Sequence, residues 1–144
     1  MTEQIVTYHG TVCPNQWNHM GPMNAMWYAG QFDEATRQLL SAYGLTPSRL
    51  RDEGLAMAAV EGHIAYKGEL RTGDAICIRS DAMEIGDKSV RIVHEMTHED
   101  TGKLVASMIV VGVHVDAVSR KACALPADVR ARMSDIDTLR VQPG

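Results

Sequence analysis

The chain has 144 residues, enough for one domain with a genuine buried core. Its hydrophobic share of 45% and charged share of 22% match ordinary globular usage, which excludes a chain disordered throughout. A net charge of −4 excludes the basic surface that nucleic-acid or anionic-membrane binding requires, but leaves room for a local basic group to meet a small anion.

Cys13, Cys77 and Cys123 are odd in number and carry no metal-motif spacing along the chain, so a reduced, intracellular protein is expected, with no metal and no cofactor. The opening residues MTEQIVTYHG lack a basic-then-apolar signal pattern. No apolar run approaches the length of a membrane span. A cytoplasmic, soluble protein is the expectation, with neither membrane nor nucleic acid as partner.

In chain order, the β-rich stretch Ile5–Val12 predicts a strand ending near Cys13-Pro14-Asn15. A polar loop with Gly and Pro follows, over Asn15–Pro22. Helical spacing then runs from Asn24 to Tyr43, with Tyr28, Phe32, Ala35 and Leu39 on one stripe. Gly44 stands where a helix-ending glycine belongs, and Pro47 follows it. The period changes at Leu55. Leu55–Leu70 is apolar-rich and stops at Thr72-Gly73-Asp74, and Ala75–Ile85 closes at Gly86-Asp87. Ser89–His98 alternates Val90, Ile92, Val93 and Met96 with polar residues, and Asp100-Thr101-Gly102 makes the next turn. Leu104–Val115 is the most apolar strand, and Pro126–Met133 predicts a short terminal helix with Arg130 and Arg132 outside. The expected architecture is a single α+β domain over 1–144, with its core at about 5–130. One long helix lies against a curved antiparallel sheet of about five or six strands. Exposed sheet edges favour dimerisation, edge to edge or face to face.

The run Trp17-Asn18-His19-Met20-Gly21-Pro22-Met23-Asn24, followed by Tyr28 and Phe32-Asp33-Glu34-Ala35, resembles the 4-hydroxybenzoyl-CoA thioesterase-like hot-dog family. Glu61, Tyr66, Gly73-Asp74, Lys88-Ser89, Gly102 with Val105-Ala106, Val115-Asp116 and Leu125-Pro126 extend the likeness in order, over roughly residues 5–130. The resemblance implies a hot-dog fold with a long central helix wrapped by the sheet, a homodimer or homotetramer, and an acyl-CoA substrate hydrolysed to free acid and CoA. The chain departs from the family loop at two positions: its Asp is Asn18 here and its His is Pro22. Asn18 cannot act as a carboxylate base. A second hot-dog arrangement, with a loop Asn and a carboxylate partway along the helix, is similar to what Asn18, Asp33 and Glu34 offer.

A thioester needs a polarised carbonyl and an attacking oxygen. Backbone N–H groups at a helix start serve the first need, which makes Gly21, Met23, Asn24 and Ala25 candidates, with Asn24 also a natural cap. A carboxylate serves the second as base or nucleophile. Trp27, Gln31, Glu34 and Gln38 share one helical stripe; Ala29, Asp33, Thr36 and Leu40 share another. The family comparison favours Glu34 over Asp33, with Gln31 as a water or substrate contact. Without it, two acidic residues in mid-helix read as solvated surface. Met20, Met23 and Met26 near Trp27 and Tyr28 suit an apolar or aromatic acyl group and equally suit core filling. Lys67, Arg71, Arg79, Lys88 and Arg91 are candidates for CoA phosphates, or a solvated strand face. His94 and His98 have a spacing that binds metal only on a helix, and their segment reads as a strand. Two alternatives stay open: a thioester hydratase or dehydratase, for which His63 is the nearest candidate, and a non-catalytic acyl-CoA binder.

Overall fold

The computed structural model describes residues 4–13 and 25–134. Among these, strand β1 (Ile5–Thr11) precedes the long helix α1 (Ala25–Ala42), and a second helix α2 (Pro47–Glu53) follows it directly. Then come β2 (Leu55–Tyr66), β3 (Ala75–Ile85), β4 (Ser89–His98), β5 (Leu104–Asp116) and a closing helix α3 (Ala127–Ser134). The strands form one five-stranded sheet in the order β1-β3-β4-β5-β2, antiparallel at every pairing. No helix among the described residues is long and apolar enough to cross a membrane.

Helix α2 was not predicted, and the reason is local. Pro47 reads as a stop signal after Gly44, yet proline is equally at home in the first turn of a helix, where its missing N–H has no partner to lose. Thr46, extended at φ −78° and ψ 156°, caps that turn by accepting from the Arg49 N–H at 3.2 Å. Gly54, left-handed at φ 69°, ends it. Arg49 also grips both carboxylate oxygens of Asp128 on α3, at 2.8 and 2.9 Å. That grip pulls the Asp128 carboxyl down to about 2 and fastens α2 to the closing helix.

The helical stripe forecast on α1 is the face that packs: Tyr28, Phe32, Ala35 and Leu39 are all buried. Phe32 sits among Val12, Ile76, Ile78, Met96 and Ala106, while Leu39 joins Tyr43, Val90, Ile92, Val110 and Met133 in a second cluster. The Tyr43 phenol is pushed up to about 12, chiefly by its burial there.

A polar chain crosses this apolar contact. On β4 the inward positions run Val90, Ile92, His94 and Met96, so His94 faces α1 with no exposed surface. Its Nε2 lies 2.8 Å from the Thr36 hydroxyl on α1, and its Nδ1 lies 2.5 Å from the Ser80 hydroxyl on β3. Ser80 in turn meets Thr7 at 2.7 Å, because a bulge between Val6 and Tyr8 breaks the register of β1 there. Thr36 gives its own proton to the Phe32 carbonyl at 3.0 Å, so it accepts from His94. That assigns the neutral ring with its proton on Nε2, and makes Ser80 the donor to Nδ1. Phe32 stacks on the same imidazole at 5.8 Å.

Two expectations follow from this core. Phe32→Ala removes a fully buried aromatic side chain from its cluster and should cost about 3–5 kcal/mol, read as a lower urea midpoint at unchanged slope. Burial also holds the His94 imidazole down at about 4, against about 6.5 when unfolded. Between those values the unfolded chain takes up a proton that the fold refuses, so the contribution is intact above about pH 6.5 and lost as pH falls to 4. It amounts to about 3 kcal/mol. Urea melts of the wild type and His94→Gln at pH 7, 5.5 and 4 should show the gap between them closing with acid; parallel acid dependence would contradict the assignment.

Candidate active site

Helix α1 packs on β1, β3 and β4 and leaves the β5–β2 end of the same sheet face to a different set of residues. There, the Asp33, Thr36, Arg37 and Leu40 edge of α1 faces Leu45, Leu50 and Arg51 around α2 and the inner surface of β2, β4 and β5. Between them lies a pocket of about 460 Å³, walled by Met57, Ala58, Ile92, Val110 and Gly112. Its walls are apolar and its charged groups, Asp33, Arg37 and Arg51, come from the two helices. Such a cleft, apolar with a few converging polar groups, suits a small organic ligand.

The two helix carboxylates sit on different sides of α1, 100° apart by helical geometry. Asp33 lines the pocket. Glu34 is not among the lining residues and lies towards β1, where its charge helps raise the Tyr8 phenol, behind the larger effects of burial and of Cys13. Arg37 joins them: its Nη1 meets Asp33 Oδ2 at 2.6 Å, and its Nε and Nη2 meet Glu34 Oε2 at 3.3 and 3.1 Å. Gln38 adds a contact to Glu34 Oε1 at 3.3 Å. The side chains remain 65% and 42% exposed, so the ion pairs add little stability. Their effect is to hold one guanidinium between Asp33, which lines the pocket, and Glu34, which does not. Arg37 was missed in the sequence, although its spacing from Asp33 and Glu34, four and three residues on, is the signal of a helical ion pair. Arg51 carried no such signal, because α2 itself was missed.

The other sequence candidates divide. Asn18, Gly21, Met23 and Asn24 lie outside the described residues. Ala25 is the first residue of α1 among the described residues. Trp27 is half-buried against the Phe32 cluster. Tyr28 is buried and packs edge-on against Tyr66 at 5.3 Å; burial raises its phenol, and a hydrogen bond with the Leu70 backbone partly offsets this. Gln31 is buried at 5% exposure. None of these three lines the pocket.

The basic residues do not gather. Lys67 and Arg71 lie on the connection from β2 to β3, Lys88 at the β3–β4 turn, and Arg91 just beyond it. The full length of β4 separates these ends, about 30 Å for a ten-residue strand. Arg91 reaches Glu84 at 3.7 Å, Arg71 reaches Glu69 at 3.5 Å, and Arg79 contacts Thr97 at 3.4 Å. Nearness in sequence was no guide, because antiparallel strands carry successive residues to opposite ends of a sheet. His94 and His98 likewise stand about 13 Å apart along one strand. His94 is taken by Ser80 and Thr36, and His98 faces Asp74 at 3.4 Å.

Comparison with known proteins agrees with this architecture. Residues 12–133 match the Thioesterase-like superfamily. The 1,4-dihydroxy-2-naphthoyl-CoA hydrolase of Synechococcus sp. is 29% identical over 129 residues, covering 85% of either chain. A betainyl-CoA thioesterase of Pseudomonas aeruginosa is 22% identical over 92% of this chain and 84% of its own length. Among solved structures, a Staphylococcus aureus protein in complex with CoA superposes with a TM-score of 0.87 at 19% identity. That superposition covers 100% of this chain and 90% of that one. With one long helix laid on a five-stranded antiparallel sheet and a family match across nearly all of its length, the chain belongs to the thioesterase-like superfamily and has the hot-dog fold.

Proposed function

We propose that the protein hydrolyses an acyl-CoA thioester to the free acid and CoA, using a carboxylate of α1. The observation that carries this reading is the Asp33 carboxylate on the wall of an apolar pocket, in a chain of this family. A water molecule attacks the thioester carbonyl carbon while a carboxylate takes its proton; the C–S bond breaks, and the CoA thiolate leaves with that proton. Family comparison favoured Glu34 for this work. The pocket lies on the Asp33 side, so we assign the base to Asp33, with Glu34 and Arg37 orienting it.

The reading also requires two chains. The first turn of α1 opens at Ala25 and offers N–H groups without partners inside the helix, suited to the developing oxyanion. Asp33 stands eight residues further on, about 12 Å along the axis. One thioester cannot touch both in the same protomer. An antiparallel partner helix across a two-fold axis brings the carboxylate of one chain to the helix start of the other. Strand β2 supplies a suitable seam: it is an edge strand of 12 residues, exposed from Ala59 to His63, and its inner face walls the pocket. Pairing of two such edges satisfies their open backbone groups and places both pockets beside the axis.

The lining, Leu40, Leu45, Leu50, Met57, Ile92 and Val110, favours an apolar or aromatic acyl group. Hydration of an enoyl thioester would call for a histidine in the pocket, and none lies among its described lining residues. A second reading, an acyl-CoA binder without turnover, draws on the hold of Arg37 over both carboxylates.

Thiol release across short, medium, long and aromatic acyl-CoAs tests the proposal. Asp33→Ala should lower kcat by about 10²–10⁴-fold with KM nearly unchanged, and Glu34→Ala by less than Asp33→Ala. The reverse order of effects returns the base to Glu34. Tight acyl-CoA binding with no turnover on any substrate supports the binder.

A further inference from the structure

On the sheet face turned away from α1, three side chains of different donor type meet. His9 on β1 and Cys77 on β3 are direct cross-strand partners, and Glu99 follows the end of β4, its N–H bonded to the Ala75 carbonyl at 2.9 Å. One ligand atom from each lies within 4.8 Å of the others. Cys77 Sγ is 4.0 Å from His9 Nε2, and His9 Nδ1 is 3.9 Å from Glu99 Oε1. Sheet hydrogen bonds fix all three backbones, so the grouping does not depend on a loose loop.

We propose that His9, Cys77 and Glu99 form a binding site for a zinc-class divalent cation, which clamps the edge strand β1 to β3 and to the β4–β5 turn. A thiolate, an imidazole and a carboxylate together suit zinc, and soft sulfur disfavours magnesium or calcium. Tetrahedral bonding with Zn–S near 2.3 Å and Zn–N near 2.0 Å sets the sulfur and nitrogen about 3.6 Å apart. The observed 4.0 Å therefore needs only a small closure. The groups that must move are free to do so: the side chains of His9 and Glu99 are 64% and 37% exposed, whereas Cys77 is buried and fixed.

Charge also balances. Cys77 gives its thiol proton to solvent on binding, so one thiolate and one carboxylate neutralise the dication while the imidazole stays neutral. Until then, burial raises the Cys77 thiol against the lowering effect of Arg79, and Glu99 raises it further by a hydrogen bond. The fourth position belongs to water. This face is remote from the α1 pocket: no residue of the trio lines that pocket. The clamp is thus a stability device for an edge strand, which otherwise holds to the sheet through β3 alone.

Cobalt(II) is the probe, added to the metal-free full-length protein. The wild type should bind one equivalent, with a thiolate-to-cobalt charge-transfer band in the near ultraviolet and strong tetrahedral d–d bands in the visible. Zinc should then bleach both and raise Tm. Cys77→Ser should lose the charge-transfer band, and His9→Ala and Glu99→Gln should weaken binding at least tenfold. The double variant Cys13→Ser/Cys123→Ser, with Cys77 as its single thiol, should keep the full spectrum, and this holds the test open even if Cys77→Ser fails to fold. Absence of the band in folded wild type at tenfold cobalt excess overturns the site, as does its loss in the double variant.

Discussion

A sheet of five strands is wider than the one long helix available to cover it. Strands spaced about 4.8 Å apart span roughly 20 Å, while a helix with its side chains is about 10 Å across. Where α1 sits therefore decides what the rest of the sheet can do. It sits over β1, β3 and β4, because its apolar stripe is matched there and because Thr36 reaches His94. The inner face of β5 and β2 is left to α2 and the pocket. Thr36 belongs both to the chain that fixes the helix and to the pocket wall, so anchoring and site share one residue.

The polar chain does what apolar packing alone cannot. Phe32 and Leu39 would tolerate a helix slid along the sheet, since hydrophobic attraction is non-directional. The hydrogen bonds from Thr36 through His94 and Ser80 to Thr7 tolerate no such shift, and a partly satisfied version in this buried setting would be costly. They fix the helix in azimuth. That azimuth is what turns Asp33 towards the pocket and Glu34 towards β1.

The elements whose periodicity is self-contained were legible in the sequence. The stripe of Tyr28, Phe32, Ala35 and Leu39, the turn glycines, and the bounds of β3 and β4 fall where they were read. Helix α2 was hidden because Pro47 serves equally to stop one helix and to start another. Which of Asp33 and Glu34 lines the pocket was hidden for a different reason: adjacent residues on a helix differ by 100°, and only the placement of the helix on the sheet decides it. His9, Cys77 and Glu99 were invisible to any spacing rule. Residues 68 and 22 apart in sequence become neighbours only through the pairing of β1 with β3 and of β3 with β4.

In the proposed enzyme, one site takes its oxyanion donors from one chain and its carboxylate from another. Subunit complementation tests it. Ala25→Pro removes a first-turn N–H from α1 while leaving the helix able to form, and Asp33→Ala removes the base. Each variant alone should be inactive. Co-refolded in equal amounts, they should recover about a quarter of wild-type turnover, since half of the dimers then hold one intact site of two. A mixture as inactive as its components would contradict the shared site.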